Sequence, residues 1–139
     1  MSLSMTKAER EAFLADVHVG VVSFNEPGRG PLSAPIWYDY EPGGDAWMLI
    51  GATSRKAKAI KAGDRFSLVA QNEGMPYSYV SVEGVAELRA PKEGEMLNMA
   101  IRYLGESQGK AYASQSSGEN HVLVMKIERW LTVDYGKLG

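Results

Sequence analysis

Apolar positions along this chain repeat with two different periods, and the changes of period mark its elements. Thr6-Lys7-Ala8-Glu9 has the form of a capping box, a threonine with a glutamate three positions on. It predicts a short helix to about Ala15, with Ala8, Ala12 and Phe13 on the inner side. Val17–Phe24 is a β-branched run and predicts a strand. Turn residues Asn25–Gly30 separate it from a second strand, Leu32–Tyr40, in which Pro35 implies a bulge or an edge because proline cannot donate to the ladder. After the turn Glu41–Asp45, Ala46–Gly51 predicts a third strand. Arg55–Ala62 then alternates alanine and isoleucine with basic residues, which predicts a helix with Ser54 as N-cap and Gly63 as C-cap.

Beyond it, Arg65–Gln71 and Ser78–Leu88 predict two more strands. In the latter, Val80, Val82, Gly84, Ala86 and Leu88 share one face and Tyr79, Ser81, Glu83, Val85 and Glu87 the other. Met96, Met99, Ala100, Tyr103 and Leu104 fall at helical spacing up to Gly105, and Gly109–Ser116 predicts a short second helix. Val122–Val133 predicts a long last strand. About six strands, turn-linked pairs and no regular βαβ alternation point to a mainly β fold: an antiparallel β-barrel with short α-helices.

Composition narrows the chemistry. At 139 residues, 45% of them hydrophobic, the chain suits one domain with a core of its own. Residues 1–5 are expected to be disordered, and Met1–Leu3 to be a cloning remnant before a second methionine, Met5. A net charge of −2 argues against general nucleic-acid binding, which draws on excess positive charge. The absence of cysteine excludes disulfides, thiolate nucleophiles, zinc fingers and cysteine-ligated clusters. His18 and His121 stand alone, without a partner at metal-ligand spacing, so no metal site is expected. No apolar run has membrane-spanning length and the N-terminus lacks the pattern of a signal peptide; a cytoplasmic protein without membrane contact is the expectation. No nucleophile elbow, zincin motif, phosphate loop or close acid pair is present. If the chain is an enzyme, a bound cofactor carries its reactive chemistry.

Two local patterns stand out. Ser54-Arg55-Lys56, followed by Lys58 and Lys61, sets four cations within seven residues. Arg55 and Lys56 fall in the first helical turn, where cations oppose the macrodipole unless an anion sits there. Backbone N–H groups, a serine hydroxyl and two cations would cradle a phosphate; the plain alternative is a solvated basic face. Pro35-Ile36-Trp37-Tyr38 sets aromatics on a proline-bent strand, which would flank a planar ring or simply pack a barrel.

At Ser54-Arg55-Lys56, with a strand before and a basic helix after, the chain resembles the pyridoxamine 5′-phosphate oxidase-like family of flavin-binding split β-barrels. The order of elements is similar from about Thr6 to Lys137. APIWY at Ala34–Tyr38, YVSVEG at Tyr79–Gly84, RYLG at Arg102–Gly105 and the closing ERWLTVDYGKL resemble one branch in particular, the deazaflavin (coenzyme F-420) reductases. The substrate-binding arginine and histidine pattern of the true oxidases is missing, with only a partial echo at Arg129-Trp130.

The resemblance implies a six-stranded split barrel that forms a homodimer with cofactor sites at the interface. It implies coenzyme F-420, or alternatively FMN, with the phosphate on Ser54, Arg55 and Lys56. The backbone of Pro35, Ile36, Trp37 and Tyr38 would lie along the ring, and Ile50, Gly51, Ala52 and Thr53 would lead from ring to phosphate. The implied activity is hydride transfer between cofactor and a small conjugated substrate. A carrier or sensor without turnover is the alternative of another class. The sequence singles out no catalytic residue: no general acid is named, and neither solvent nor Tyr38 is marked as a proton source.

Overall fold

The computed structural model describes residues 2–138. Its strands are β1 (Gly20–Phe24), β2 (Leu32–Ile36), β3 (Asp39–Tyr40), β4 (Ala46–Gly51), β5 (Arg65–Asn72), β6 (Ser78–Arg89) and β7 (Asn120–Asp134). Its helices are α1 (Lys7–Ala15), α2 (Arg55–Ala59), α3 (Glu95–Leu104) and α4 (Glu106–Gln115), and a 3-10 turn spans Tyr135–Lys137. The strands form one antiparallel sheet in the order β2-β1-β5-β6-β7-β4-β3. The two edge strands, β2 and β3, are joined through only Trp37 and Tyr38. A sheet whose opposite edges lie two residues apart in sequence has to curl back on itself, which makes it a split barrel.

Seven strands stand where six were expected, because Leu32–Tyr40 is broken at Trp37–Tyr38. Pro35 lies on edge strand β2, opposite Val21, where its missing N–H costs no ladder bond. The interior is filled by alternate residues: Val22 and Phe24 of β1, Leu68 and Ala70 of β5, Val80 and Val82 of β6, and Met48 and Ile50 of β4. Each of these side chains other than Ala70, fully buried, contributes about 1.5–3 kcal/mol. The two faces of β6 are as expected, with Val80, Val82, Gly84 and Ala86 inside. Gly84 sits at a register shift between β6 and β7, and a Cβ there would lie 1.9 Å from the Lys126 carbonyl oxygen. Only glycine permits that approach.

Three local expectations differ. In α1 the inner residues are Phe13 and Leu14, while Ala8 and Ala12 are exposed. The Arg10 guanidinium lies 4.6 Å above the Trp130 ring, so an arginine rather than the alanines shares the inner face. α2 ends at Ala59, not Ala62: Ile60 turns extended (φ −117°, ψ 135°) and buries itself in the core. Gly63 instead serves the turn into β5, at φ +92° with its N–H on the Ala86 carbonyl. Residues 3–5 run along the barrel rather than free of it: Leu3 accepts from Asp134 N–H at 2.8 Å and Met5 N–H donates to Thr132 Oγ1 at 3.0 Å. Met1 lies outside the described residues.

Candidate functional site

The break at Trp37–Tyr38 builds the site. A backbone leaving a sheet must find partners for its polar groups, and here two adjacent residues of α3 supply them. The Tyr38 N–H donates to the Tyr103 hydroxyl at 3.0 Å, and the Tyr38 carbonyl accepts from Arg102 Nε at 3.0 Å. Arg102 also donates to the Ala15 and Asp16 carbonyls, each at 3.1 Å, and faces the Asp39 carboxylate at 3.3 Å. The Tyr103 hydroxyl in turn donates a hydrogen bond to the His18 carbonyl at 2.5 Å. Burial, above all, pushes the Tyr103 phenol upward, which keeps this donor protonated. Arg102 and Tyr103 thus clamp the end of α1, the segment leading into β1 and the β2–β3 link to one helix.

The clamp sends the two aromatic side chains opposite ways. Tyr38 is fully buried, and its hydroxyl donates to the Leu14 carbonyl at 2.7 Å. Burial is the main cause that drives its phenol far above the ordinary tyrosine range. Tyr38 is therefore neither a ring contact through its side chain nor a proton source. Trp37 instead faces a cavity of about 320 Å³ and stacks on Tyr103, with centroids 5.0 Å apart and planes 6° from parallel.

One side of this cavity is Pro35, Ile36 and Trp37 with Leu49, Ile50 and Gly51 of β4. Met96 and Met99 of α3 and Tyr112 of α4 form another. Val19, Asn120 and Lys56 complete it. Lys56 is the one charged residue of this lining, and among the described residues it makes no ion pair.

The basic segment is thus divided by the fold. Lys56 lines the cavity, whereas Lys58 and Lys61 line a separate cleft of about 670 Å³ with Arg29. Arg55 pairs with Glu26 of the β1–β2 loop at 2.6 Å. The Ser54 hydroxyl accepts from Ala57 N–H and donates to the Gly51 carbonyl, so it is a helix cap first. With only five residues, α2 carries a small dipole. Ala52 is held by its N–H on the Glu119 carbonyl at 2.9 Å, and neither it nor Thr53 lines the cavity.

The sequence reading did not single out Val19, Leu49, Met96, Met99, Tyr112 or Asn120 as site residues. Met96 and Met99 were visible as one face of a helix, but nothing in their spacing says what that face meets. Asn120 arrives through the β4–β7 register, where it pairs with Gly51.

No group of histidine and carboxylate side chains among the described residues is placed to hold a metal ion. No helix among them is long and apolar enough to cross a membrane.

A split barrel with a helix-clamped break between its edge strands, lined by one cation and a stacked tryptophan, defines the class of this protein. The chain belongs to the pyridoxamine 5′-phosphate oxidase family, whose sequence model matches residues 6–134. No curated protein matches the sequence. Among solved structures, a conserved hypothetical protein from Mycobacterium tuberculosis shares 23% identity over 99% of this chain and 89% of its own, with a TM-score of 0.78. An F420 reductase shares 18% identity over 87% of this chain and 94% of its own, with a TM-score of 0.70. An FAD binding protein from Mycobacterium smegmatis shares 13% identity over 92% of this chain and 94% of its own, with a TM-score of 0.62. At these identities the likeness is one of fold.

Proposed function

We propose that this protein is a deazaflavin-dependent oxidoreductase that uses coenzyme F-420 and transfers a hydride between it and a small conjugated substrate. The observation that carries this reading is one cavity combining a lysine without an ion-pair partner among the described residues, a flat indole and the free edge of β2. A phosphorylated tricyclic cofactor needs those three things: a counter-charge, an apolar plane and backbone groups for a polar ring edge. The F420 reductase and the FAD binding protein of the same fold support a cofactor of this type.

Lys56 would hold the phosphate, with the Arg55–Glu26 pair beside it; Ser54 would add what its capping hydroxyl has left. Pro35, Ile36, Trp37 and the Tyr38 backbone would border the ring, and Ile50, Gly51, Ala52 and Thr53 would run from ring to phosphate. When bound, the cofactor supplies the hydride chemistry. The chain's own part is to hold the ring in place and to exclude water with Met96 and Met99. Any proton comes from solvent, since Tyr38 and Tyr103 both spend theirs on backbone carbonyls.

A second copy of the chain completes this proposal. Pro35, Val21, Val69, Ser81 and Leu131 lie in register across five strands on the outer face of the barrel. Leu131 is 61% exposed, and four of the five residues are apolar. A stripe of this kind is the expected core of a two-fold interface, and the cavity's 320 Å³, near the lower end of small-molecule sites, leaves the rest of the cofactor to be covered by the partner.

Titration of the cofactor-free protein with F-420 and with FMN tests the reading. Tight F-420 binding with steady reduction of an enone or quinone supports it. Preference for FMN, the cofactor of the alternative reading, shifts the assignment to a flavin oxidoreductase. Binding without turnover makes the protein a carrier or sensor, and binding of neither overturns the site.

A further inference from the structure

We propose that Asn120, the first residue of β7, recognises the hydroxylated chain that joins the ring of the cofactor to its phosphate. The inference rests on the cofactor reading above and adds to it a residue outside the segments which that reading uses. Asn120 reaches the site by strand register. It lies opposite Gly51 in the β4–β7 ladder, two positions from the Leu49–Val122 pair and on the same face. Directly opposed residues of two strands stand side by side, and Gly51 sets no side chain beside the amide. A Cβ at Gly51 would touch only Ser54, at 3.7 Å, so the place of the missing side chain is open space. The position is fixed from the preceding residue, since the Glu119 carbonyl accepts from Ala52 N–H at 2.9 Å.

An account of polar groups along the way from ring to phosphate leaves Asn120 with the task. The ring end is bordered by Pro35, Ile36 and Trp37, and the phosphate end by Lys56. Between them run Ile50, with an apolar side chain, and Gly51, with none. The Gly51 carbonyl already accepts from Ser54 N–H at 3.0 Å and from the Ser54 hydroxyl at 2.7 Å. That hydroxyl is in turn taken up by Ala57 N–H at 3.1 Å. The Ala52 N–H is spent on Glu119. Tyr112 stands at the other end, against Trp37.

The Asn120 side chain lines the cavity, is half-buried, and makes no hydrogen bond to a protein group among the described residues. An amide so placed keeps a donor and an acceptor for what enters the cavity. An alcohol is likewise donor and acceptor, so amide and polyol match group for group. An aspartate here would offer acceptors alone and would set a second negative charge near the phosphate.

Three compounds that share one ring test this on the cofactor-free protein: F-420, its phosphate-free form 8-hydroxy-5-deazariboflavin, and the 10-methyl analogue, which lacks the polyol as well. FMN, riboflavin and lumiflavin form the equivalent flavin series. Affinities are read by calorimetric titration, and the fold by circular dichroism and melting temperature. A neutral hydrogen bond corresponds to about three- to tenfold in affinity. Asn120→Ala should weaken F-420 and its phosphate-free form by that same factor and leave the 10-methyl analogue unchanged. Asn120→Asp, of the same size and therefore free of any cavity effect on the fold, should weaken F-420 at least tenfold and the phosphate-free form less than threefold.

Loss of all three compounds in Asn120→Ala overturns the inference by making Asn120 part of the ring wall. Loss of F-420 alone overturns it by making Asn120 a phosphate residue. Unchanged affinities in Asn120→Ala, or equal losses of F-420 and its phosphate-free form in Asn120→Asp, overturn it too. Failure of the unaltered protein to bind F-420 or FMN instead overturns the reading beneath.

Discussion

Lys56 and Lys61 lie five positions apart in one basic run, yet the fold gives them different surroundings. A charge-assisted hydrogen bond is worth about 1.5–3 kcal/mol, one to two orders of magnitude in affinity at about 1.4 kcal/mol per tenfold. Lys56→Ala should therefore weaken F-420 and FMN by about 10- to 100-fold, and Lys61→Ala by less than about threefold. Calorimetric titration of both variants checks this, and equal affinities would return the run to a solvated face. At Tyr103 the clamp and the stack separate cleanly. Tyr103→Phe keeps the ring against Trp37 but removes the acceptor of Tyr38 N–H and the donor to His18. Leaving such groups unpaired costs about 1–3 kcal/mol, to be read from urea unfolding.

At the scale of elements, α1 and α3–α4 are secured in opposite ways. α1 is held at its start by charge: Glu9 accepts from Thr6 N–H at 2.8 Å and from Lys137 Nζ at 2.7 Å. The Lys137 contact, ahead of the Thr6 bond, lowers the Glu9 carboxyl from 4.5 to about 2. A depressed carboxyl adds stability above its unfolded value and loses it as pH falls toward the folded one. The difference in melting temperature between the protein and Glu9→Gln should accordingly shrink between pH 5 and about pH 2. A constant difference would show that the carboxylate adds nothing. α3 and α4 are held instead by close approach at Gly109. Gly109→Ala has backbone, not a flexible side chain, in its way, and overpacking of this kind costs about 1–3 kcal/mol. It should also displace α4, so that exchange in residues 107–115 quickens more than exchange in α3.

At the scale of the whole molecule, the outward stripe through Val21, Val69 and Leu131 is the surface on which the proposed pairing of two copies would rest. Stable pairs bury about 800 Å² on each partner, and a charge introduced at Leu131, the most exposed of these three residues, would have no compensating group within such an interface. Leu131→Asp should yield a monomer by light scattering at micromolar concentration, with its circular dichroism unchanged and its F-420 affinity reduced. A monomeric unaltered protein would remove the partner from the site altogether. The charge set on the same outer surface, Arg65 with Glu83 and Glu128 and Lys126 with Asp45 and Glu87, lies in water and adds little to stability.

Local chemistry was legible wherever a residue's neighbours in sequence are also its partners in space. The capping box at Thr6 and Glu9, the cap at Ser54, the alternation of β6 and the edge placement of Pro35 all rest on contacts within a few residues or on the period of one element. The family pattern adds the barrel, because order and spacing of elements survive where identity does not. What the chain alone did not reveal are contacts made at long separation. The clamp joins Tyr38 to Arg102 and Tyr103 across 64 and 65 positions, and it is this clamp that splits one expected strand into two. Glu26 reaches Arg55 across 29 positions and takes up a cation that the local pattern had offered to a phosphate. Tyr38 and Trp37 are adjacent aromatics of similar character, and only the curl of the sheet sends one into the core and the other into the cavity. Local pattern specifies which elements form; the closure of the barrel decides which of their side chains meet.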